Sequence, residues 1–256
     1  MKAVILAGGL GTRLSEETVV RPKPMVEIGG KPILWHIMKH FAHHGCDEFF
    51  VALGYMGDFI KSYFLDRYNL SGNLTIDFGR GMVQRAAQDS EDWKVNLIET
   101  GLHSMTGGRL RRLRDWLDGE TFMLTYGDGV SDVPIDKLVA FHQSHDASMT
   151  LTAVRPPSRF GEVAVDGRGF ATSFNEKPQT SAGLISGGYF ACRASLFDYL
   201  DDREDLVLEA EPMRKLVRDR RLAAYTHEGF WQCMDTYRDW ELLNELDRKN
   251  EAPWRH

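Results

Sequence analysis

Cysteine is scarce in this chain of 256 residues, and the three that occur, Cys46, Cys192 and Cys233, are too far apart for a paired zinc motif and odd in number for a disulfide framework. They read as small buried residues in a protein of a reducing compartment, the cytoplasm. Long apolar runs are missing too. The first, Ala3 to Ala7, is ended by Gly8 and Gly9 before it reaches signal-peptide length, and no later one approaches the ~20 residues of a membrane helix. The expectation is a protein neither secreted nor membrane-spanning. Positive charge is not in excess: 31 basic against 37 acidic residues give a net charge of -6, which argues against an extended cationic surface for nucleic acid or anionic lipid. Internal repeats, low-complexity tracts and linkers are absent as well. With 43% hydrophobic residues the chain has enough apolar material for a full core, and one α/β domain over residues 1–256 is expected.

What is present alternates. Ala3 to Ala7 reads as a buried strand and is followed by a glycine loop. Pro32 then opens a helix in which Ile33, Leu34, Ile37, Met38 and Phe41 recur at helical spacing up to Gly45. Glu48 to Leu53 is a second buried strand, and Asp58 to Tyr68 a second helix with Phe59, Ile60, Tyr63 and Phe64 on its apolar face. Strand, helix, strand, helix implies a parallel sheet. Leu74 to Phe78 and Val95 to Glu99 read as strands, with a polar loop between Gly79 and Trp93. A helix follows Thr106 with Leu110, Leu113 and Leu117 inward. Phe122 to Thr125 is a buried strand running into Tyr126-Gly127-Asp128-Gly129, which places Asp128 at a strand's carboxyl end, the edge where open α/β sheets bind ligands. Strands are further expected at Met149 to Val154, Glu162 to Val165, Phe170 to Phe174 and Gly188 to Cys192, and a last helix from Tyr237 to Asp247.

Four segments carry chemistry. In LAGGLGTRL, Leu6 to Leu14, three glycines follow the first strand and let backbone N–H groups approach a phosphate or base, while Arg13 can neutralise phosphate oxygens. A Walker loop would need Gly-Lys-Ser/Thr, which is absent, and a dinucleotide loop would need glycine where Leu14 stands. In RPKPMVEIGGKP, Arg21 to Pro32, Pro22 and Pro24 hold Lys23 on an extended strap suited to a phosphate. Asp128, and Asp235 in FWQCMDTYRD, could together meet the preference of Mg²⁺ for one or two protein carboxylates plus phosphates and water. In FNEKP, Phe174 to Pro178, Glu176 can accept hydrogen bonds from sugar hydroxyls and Lys177 can pair with a sugar phosphate, and Gly187-Gly188 permits close backbone approach. Each segment alone has a plainer explanation: a glycine turn, a solvated lysine, a turn aspartate, a surface salt bridge.

Two other constellations carry less. His36, His40 and His44 recur every four residues but lack the glutamate of H-E-x-x-H, so they read as core-edge histidines. Of Arg109, Arg111, Arg112 and Arg114, only Arg109, beside the glycines and the helix start, is placed to reach a ligand.

Taken together and in this order, the motifs resemble the sugar nucleotidylyltransferase family over nearly the whole chain. LSEET (Leu14 to Thr18), PMVEIGGKPILWHIMK (Pro24 to Lys39), SMTGGRL (Ser104 to Leu110), RFGEV (Arg159 to Val163) and APW (Ala252 to Trp254) resemble the branch that uses CTP and α-D-glucose 1-phosphate. The resemblance implies a Rossmann-like, mixed but mostly parallel central sheet flanked by helices, Mg²⁺ as cofactor, and CDP-glucose plus pyrophosphate as products, the former feeding dideoxysugar synthesis for bacterial surface polysaccharide. It assigns Leu6, Ala7, Gly8, Gly9, Leu10, Gly11, Thr12, Arg13 and Lys23 to the nucleotide, with Thr106, Gly107, Gly108, Arg109 and Gly127 near the base and ribose. Asp128 and Asp235 would hold Mg²⁺, and Glu176, Lys177 and Gly188 would face the sugar phosphate. Arg13, Lys23 and Asp128 are the expected catalytic set.

UTP or dTTP in place of CTP stays open, because an acceptor for the cytosine amino group would be a backbone carbonyl that a sequence does not display. A metal-dependent glycosyltransferase on a similar sheet accounts for Asp128 but leaves Arg13 and Lys23 unexplained. A non-catalytic binding protein on a degenerate domain would have lost a charged site residue, and none is lost. A homo-oligomer is expected for a cytoplasmic enzyme.

Overall fold

Alternation along the first strand decides the layout of the chain. In the computed structural model, which describes residues 1–11, 20–86, 91–117, 119, 121–156, 162–175 and 183–255, strand β1 (Lys2–Leu6) sends Ala3 and Ile5 to one face and Val4 and Leu6 to the other. Both sets are buried, so β1 must be covered on both sides. It lies inside a seven-stranded sheet whose other members are β2 (Glu48–Leu53), β3 (Lys94–Glu99), β4 (Phe122–Tyr126), β5 (Met149–Val154), β6 (Ile185–Cys192) and β7 (Leu222–His227), in the order β7-β5-β6-β4-β1-β2-β3. Strand β6 alone runs against its neighbours, β5 and β4; the other pairings are parallel. The Rossmann-like, mostly parallel mixed sheet expected from the sequence is the one found.

Helices cover both faces. Helix α1 (Ile33–His43) buries Ile33, Leu34, Ile37, Met38 and Phe41 in one core, together with Ile5, Phe49, Val51 and Met123. It ends at Gly45, whose φ of 78° is left-handed, the usual way to stop a helix. Helix α2 (Gly57–Leu70) is more exposed than its pattern suggests: Ile60 is buried and Tyr63 and Phe64 pack on the core, while Phe59, one helical step of about 100° off that face, is exposed. On the opposite face of the sheet, the helix expected after Thr106 is two short ones, α3 (Thr106–Arg111) and α4 (Arg114–Leu117). Leu110, Leu113 and Leu117 are all inward as read, packed with Val4, Leu124 and Phe190. The expected loop between Gly79 and Trp93 contains a strand, Met82–Ala86, which pairs with Asn73–Asp77 across a turn that uses Gly81 at φ 62°. Three further helices are α5 (Ile135–Gln143), α6 (Glu211–Arg218) and α7 (Tyr237–Arg248). No helix among the described residues is long and apolar enough to cross a membrane.

The helix histidines are structural. His36 and His40 are buried and donate from Nε2–H to the carbonyls of Ile28 and Val133 at 2.8 and 2.9 Å. Among the described residues no group of three or more His, Cys, Asp or Glu side chains could hold a metal. On α5, fully buried His142 meets the Thr150 hydroxyl at 2.7 Å through Nδ1, and burial, aided by Arg193 and His145, lowers its pKa to about 4. The unfolded chain therefore takes up this proton before the folded one does. Stability from neutral His142 is complete above pH 6.5 and lost progressively as pH falls toward 4, at a limiting slope of about 1.4 kcal/mol per pH unit. Thermal melting followed by circular dichroism should show the midpoint falling by several degrees over that window, and His142→Asn should flatten this acid limb; an unchanged limb in the variant refutes the assignment.

Candidate active site

The strand order reverses at β1: β2 and β3 follow on one side, β4 on the other. In open α/β sheets ligands bind in the crevice at such a switch, outside the carboxyl ends of the strands. A cleft of about 350 Å³ lies there, lined by Leu6, Ala7, Gly8, Gly9 and Gly11 after β1, by Tyr126, Gly127 and Asp128 after β4, and by Lys23, Pro24, Met105, Thr106, Arg109 and Asp235. Most of the expected ligand-binding residues thus converge.

Asp128 and Asp235, 107 positions apart in the numbering, are brought together by a short ladder. Gly129–Ser131 pairs antiparallel with Trp231–Cys233 in the register Gly129↔Cys233, and the Met234 N–H donates to the Asp128 carbonyl at 2.8 Å. The residues after Asp235 are fixed by helix α7. Thr236 is its N-cap and Asp239 closes a capping box, accepting from the Thr236 N–H at 2.8 Å and from the Asp235 N–H at 3.1 Å. Lys23 sits in a single 3₁₀ turn, Lys23–Met25, entered from Pro22 with Pro24 inside it. Its ammonium donates to Asp128 Oδ2 at 2.7 Å and to Asp235 Oδ1 at 2.5 Å. Burial opposes the lysine's charge, but the two carboxylates outweigh it and raise its pKa above the ordinary value. The Cys233 thiol, pushed up to about 12 by burial and the carboxylates of Asp235, Asp128 and Asp239, stays protonated and donates to Asp235 Oδ2 at 3.6 Å.

The glycine loop rests on Arg109. The guanidinium is buried and donates to the Gly8 carbonyl at 2.8 Å, to those of Leu53, Gly101 and Leu102 at 2.9, 2.7 and 3.3 Å, and to the Thr100 hydroxyl at 2.9 Å. Burial, with Arg112 nearby, lowers its pKa, yet an arginine so paired remains charged. Arg109 lines the cleft and also acts as the strut beneath the loop, a role the sequence did not suggest. Gly107 and Gly108 do not line the cleft. A Cβ there would stand 2.8 Å from Leu206 Cγ and 2.6 Å from the Glu204 carbonyl oxygen, so these glycines admit the 204–206 backbone against α3. Leu10 is 57% exposed and is not among the residues that line the cleft. Gly188, at φ 76°, packs against Tyr126, where a Cβ would lie 2.7 Å from Cδ2. Thr12, Arg13, Glu176, Lys177, the LSEET segment and most of RFGEV lie outside the described residues.

Sequence reasoning missed Glu209. Its carboxylate accepts from the Tyr126 hydroxyl and, at 2.7 Å, from the Thr106 hydroxyl. Nothing in the local sequence Leu-Val-Leu-Glu-Ala sets it apart.

The family model for nucleotidyl transferases matches residues 2–241. The chain belongs to this family. This nucleotidyltransferase is 47% identical over 256 residues to the glucose-1-phosphate cytidylyltransferase of Salmonella typhi, covering 100% of its own length and 99% of the relative's. It is 43% identical over 255 residues to the probable glucose-1-phosphate cytidylyltransferase of Bacillus subtilis, with the same coverage. Among solved structures, a putative glucose-1-phosphate thymidylyltransferase from Bacillus anthracis in complex with sucrose shares the fold at a TM-score of 0.70, with 17% identity over 97% of this chain and 95% of that one.

The strut makes Gly8 and Gly9 of the nucleotidyltransferase unequal. A Cβ on Gly8 would meet Arg109 Cζ and the adjacent guanidinium nitrogen at 2.4 Å, whereas one on Gly9 meets nothing within 4 Å. The guanidinium cannot swing aside without abandoning its acceptors. Gly8→Ala should therefore cost roughly 1–3 kcal/mol of stability and weaken nucleotide binding, with Gly9→Ala close to wild type in denaturant melts. Equal effects at the two positions would show that Arg109 does not hold the loop.

Proposed function

We propose that this nucleotidyltransferase transfers a cytidylyl group from CTP to α-D-glucose 1-phosphate, giving CDP-glucose and pyrophosphate. The observation that carries the reading is the convergence of Lys23, Asp128 and Asp235 on one point beside the glycine loop, at 2.7 and 2.5 Å. The choice of CTP and of glucose 1-phosphate draws on the relatives from Salmonella typhi and Bacillus subtilis that bear that activity in their names.

The reaction asks little covalent work of the protein. A phosphate monoester, with a second pKa near ~6, is already largely an oxyanion at neutral pH and needs no general base. An oxygen of the sugar phosphate bonds to the α-phosphorus of CTP, the bond from that phosphorus to the oxygen bridging to the β-phosphorus breaks, and pyrophosphate departs with the electron pair. Lys23, held now by two carboxylate oxygens, is placed to exchange them for phosphate oxygens whose charge grows during transfer. Arg13 and the N–H groups of the glycine loop serve the triphosphate, with Thr106, Arg109 and Gly127 beside the nucleoside. Glu176, Lys177 and Gly188 serve the sugar phosphate.

The donor chemistry fits Mg²⁺. Asp128 and Asp235 offer hard oxygens that converge on the Lys23 ammonium, itself a cation, and Mg²⁺ requires only one or two such carboxylates. Bound there, it supplies charge neutralisation to the phosphoryl oxygens.

Purified protein incubated with glucose 1-phosphate and each of the four triphosphates in turn should release pyrophosphate most rapidly with CTP; a clear preference for UTP or dTTP would reassign the base, and no release with any would end the reading.

Asp128→Asn and Asp235→Asn should each lower kcat by about 10²–10³-fold, on the scale of losing one transition-state contact, and should weaken Mn²⁺ binding seen by paramagnetic resonance in the presence of CTP. Lys23→Ala should depress kcat more than CTP affinity. Near-normal turnover in both aspartate variants at saturating metal would remove them from the metal site.

A further inference from the structure

Tyr126, which lines the cleft, and Glu209 belong to a polar arrangement in which neither has a role in the proposed reaction. Tyr126 closes β4, and its ring is fixed edge-on against Phe190, 5.8 Å between centroids, and by the missing side chain of Gly188. Its hydroxyl donates to Glu209 Oε1. The second oxygen of Glu209 is taken by the Thr106 hydroxyl at 2.7 Å, and Thr106 in turn accepts the Leu208 N–H at 2.9 Å. Segment 204–208 is bound to the start of α3 by further main-chain bonds, from the Met105 N–H to the Glu204 carbonyl at 2.9 Å and from the Gly107 N–H to the Leu206 carbonyl at 2.9 Å. Although Glu209 itself is exposed, its carboxylate is held in place by the two hydroxyls it accepts.

A carboxylate has no proton to give, so a hydroxyl bonded to it must be the donor. The Tyr126 proton is thereby directed at Glu209; Tyr126 lines the cleft, and toward a ligand there its phenol oxygen would offer only lone pairs.

We propose that Glu209 is a positioning residue for substrate selection: by fixing the Tyr126 proton it makes this wall an acceptor for a hydrogen-bond donor on the substrate. The inference rests on the proposed reaction, whose substrates carry three such donors: the cytosine amino group, the ribose hydroxyls and the hexose hydroxyls. Uracil, with a carbonyl where cytosine has its amino group, would meet lone pair with lone pair. Glu209 acts through Tyr126 and does not touch the reacting atoms.

The test uses the full chain with Glu209→Ala, which removes the acceptor and frees the phenol proton to turn into the cleft, and Glu209→Gln, whose amide can donate to the phenol oxygen as well as accept from it and so no longer fixes the direction of that proton. Calorimetric titration of CTP, UTP and 2′-deoxy-CTP separates the amine from the ribose hydroxyl. KM for glucose 1-phosphate against its 2-deoxy analogue reads the hexose. One of these three preferences should fall by about tenfold in both Glu209 variants while kcat with CTP changes little and the melting temperature stays near wild type. Tyr126→Phe should erase the same preference, and a Glu209 change added to it should do nothing more. Three unchanged preferences, or full additivity with Tyr126→Phe, would overturn the proposal. Wild-type protein is assayed for pyrophosphate release alongside. If it shows none, the reaction falls, and Glu209 is judged by calorimetry with whichever triphosphates the wild type binds.

Discussion

One ammonium group holds the site together. Two aspartates from distant parts of the chain, each partly withdrawn from water, would repel one another across the mouth of the cleft, and desolvation would add to the cost. Lys23 answers both problems by standing between them. The flanking structure serves that geometry: the ladder of 129–131 with 231–233 sets the separation of the two backbones, the capping box of α7 stops the Asp235 end from fraying, and the prolines around Lys23 restrict the turn that delivers it. The chain has in effect assembled a cation site and filled it with its own cation. A ligand carrying both negative phosphates and a positive metal can satisfy every member of that group at once.

The same economy appears under the glycine loop. Buried carbonyl oxygens at strand ends require donors, and Arg109 meets those of Gly8, Leu53, Gly101 and Leu102 with one rigid fork. The loop after β1 and the ends of β2 and β3 are thus joined through one side chain. Its packing explains why glycine is required at Gly8 and also at Gly54, where a Cβ would stand 2.4 Å from the same guanidinium. A loop made of glycine is soft in isolation; here one edge of it is anchored, and Gly8, Gly9 and Gly11 line the cleft.

The central strands are readable because strands buried on both faces are apolar almost throughout, as in Phe49 to Leu53 of the strand Glu48–Leu53, or alternate apolar with β-branched residues, as in Met149–Val154, and the bounds of both agree with the sequence reading. What escaped reading was weakly patterned. The edge strand Leu222–His227 is half exposed, and the ladder strands Gly129–Ser131 and Trp231–Cys233 are three residues each, too short for any period to register. Helices Ile135–Gln143 and Glu211–Arg218 were also unread. At the site, Lys23, Asp128 and Asp235 stood out through their flanking prolines, glycines and aromatics. That the lysine bridges the two acids depends on long-range pairing and had no local signal. The sequence reading has Arg109 facing a ligand because it stands beside glycines at a helix start; its carbonyl partners come from three separate stretches of chain. Glu209 depends on contacts more than 80 residues away.

The reversed strand β6 has a consequence for how the enzyme can be altered. Because it runs against β5, its first residue, Ile185, lies directly across the ladder from Val154, the last residue of β5. Residues 155 to 184, which carry the proposed sugar-side residues Glu176 and Lys177, lie in the sequence between these two paired residues. Such an excursion is a closed circuit hung on two paired residues. Its length can change at a closure cost that grows only logarithmically, with no core strand shifting register. The stretch of chain between Val154 and Ile185 is therefore an exchangeable cassette, whereas the cleft residues at the ends of β1 and β4 and at the start of α3 are woven into the core and cannot be swapped without refolding the protein.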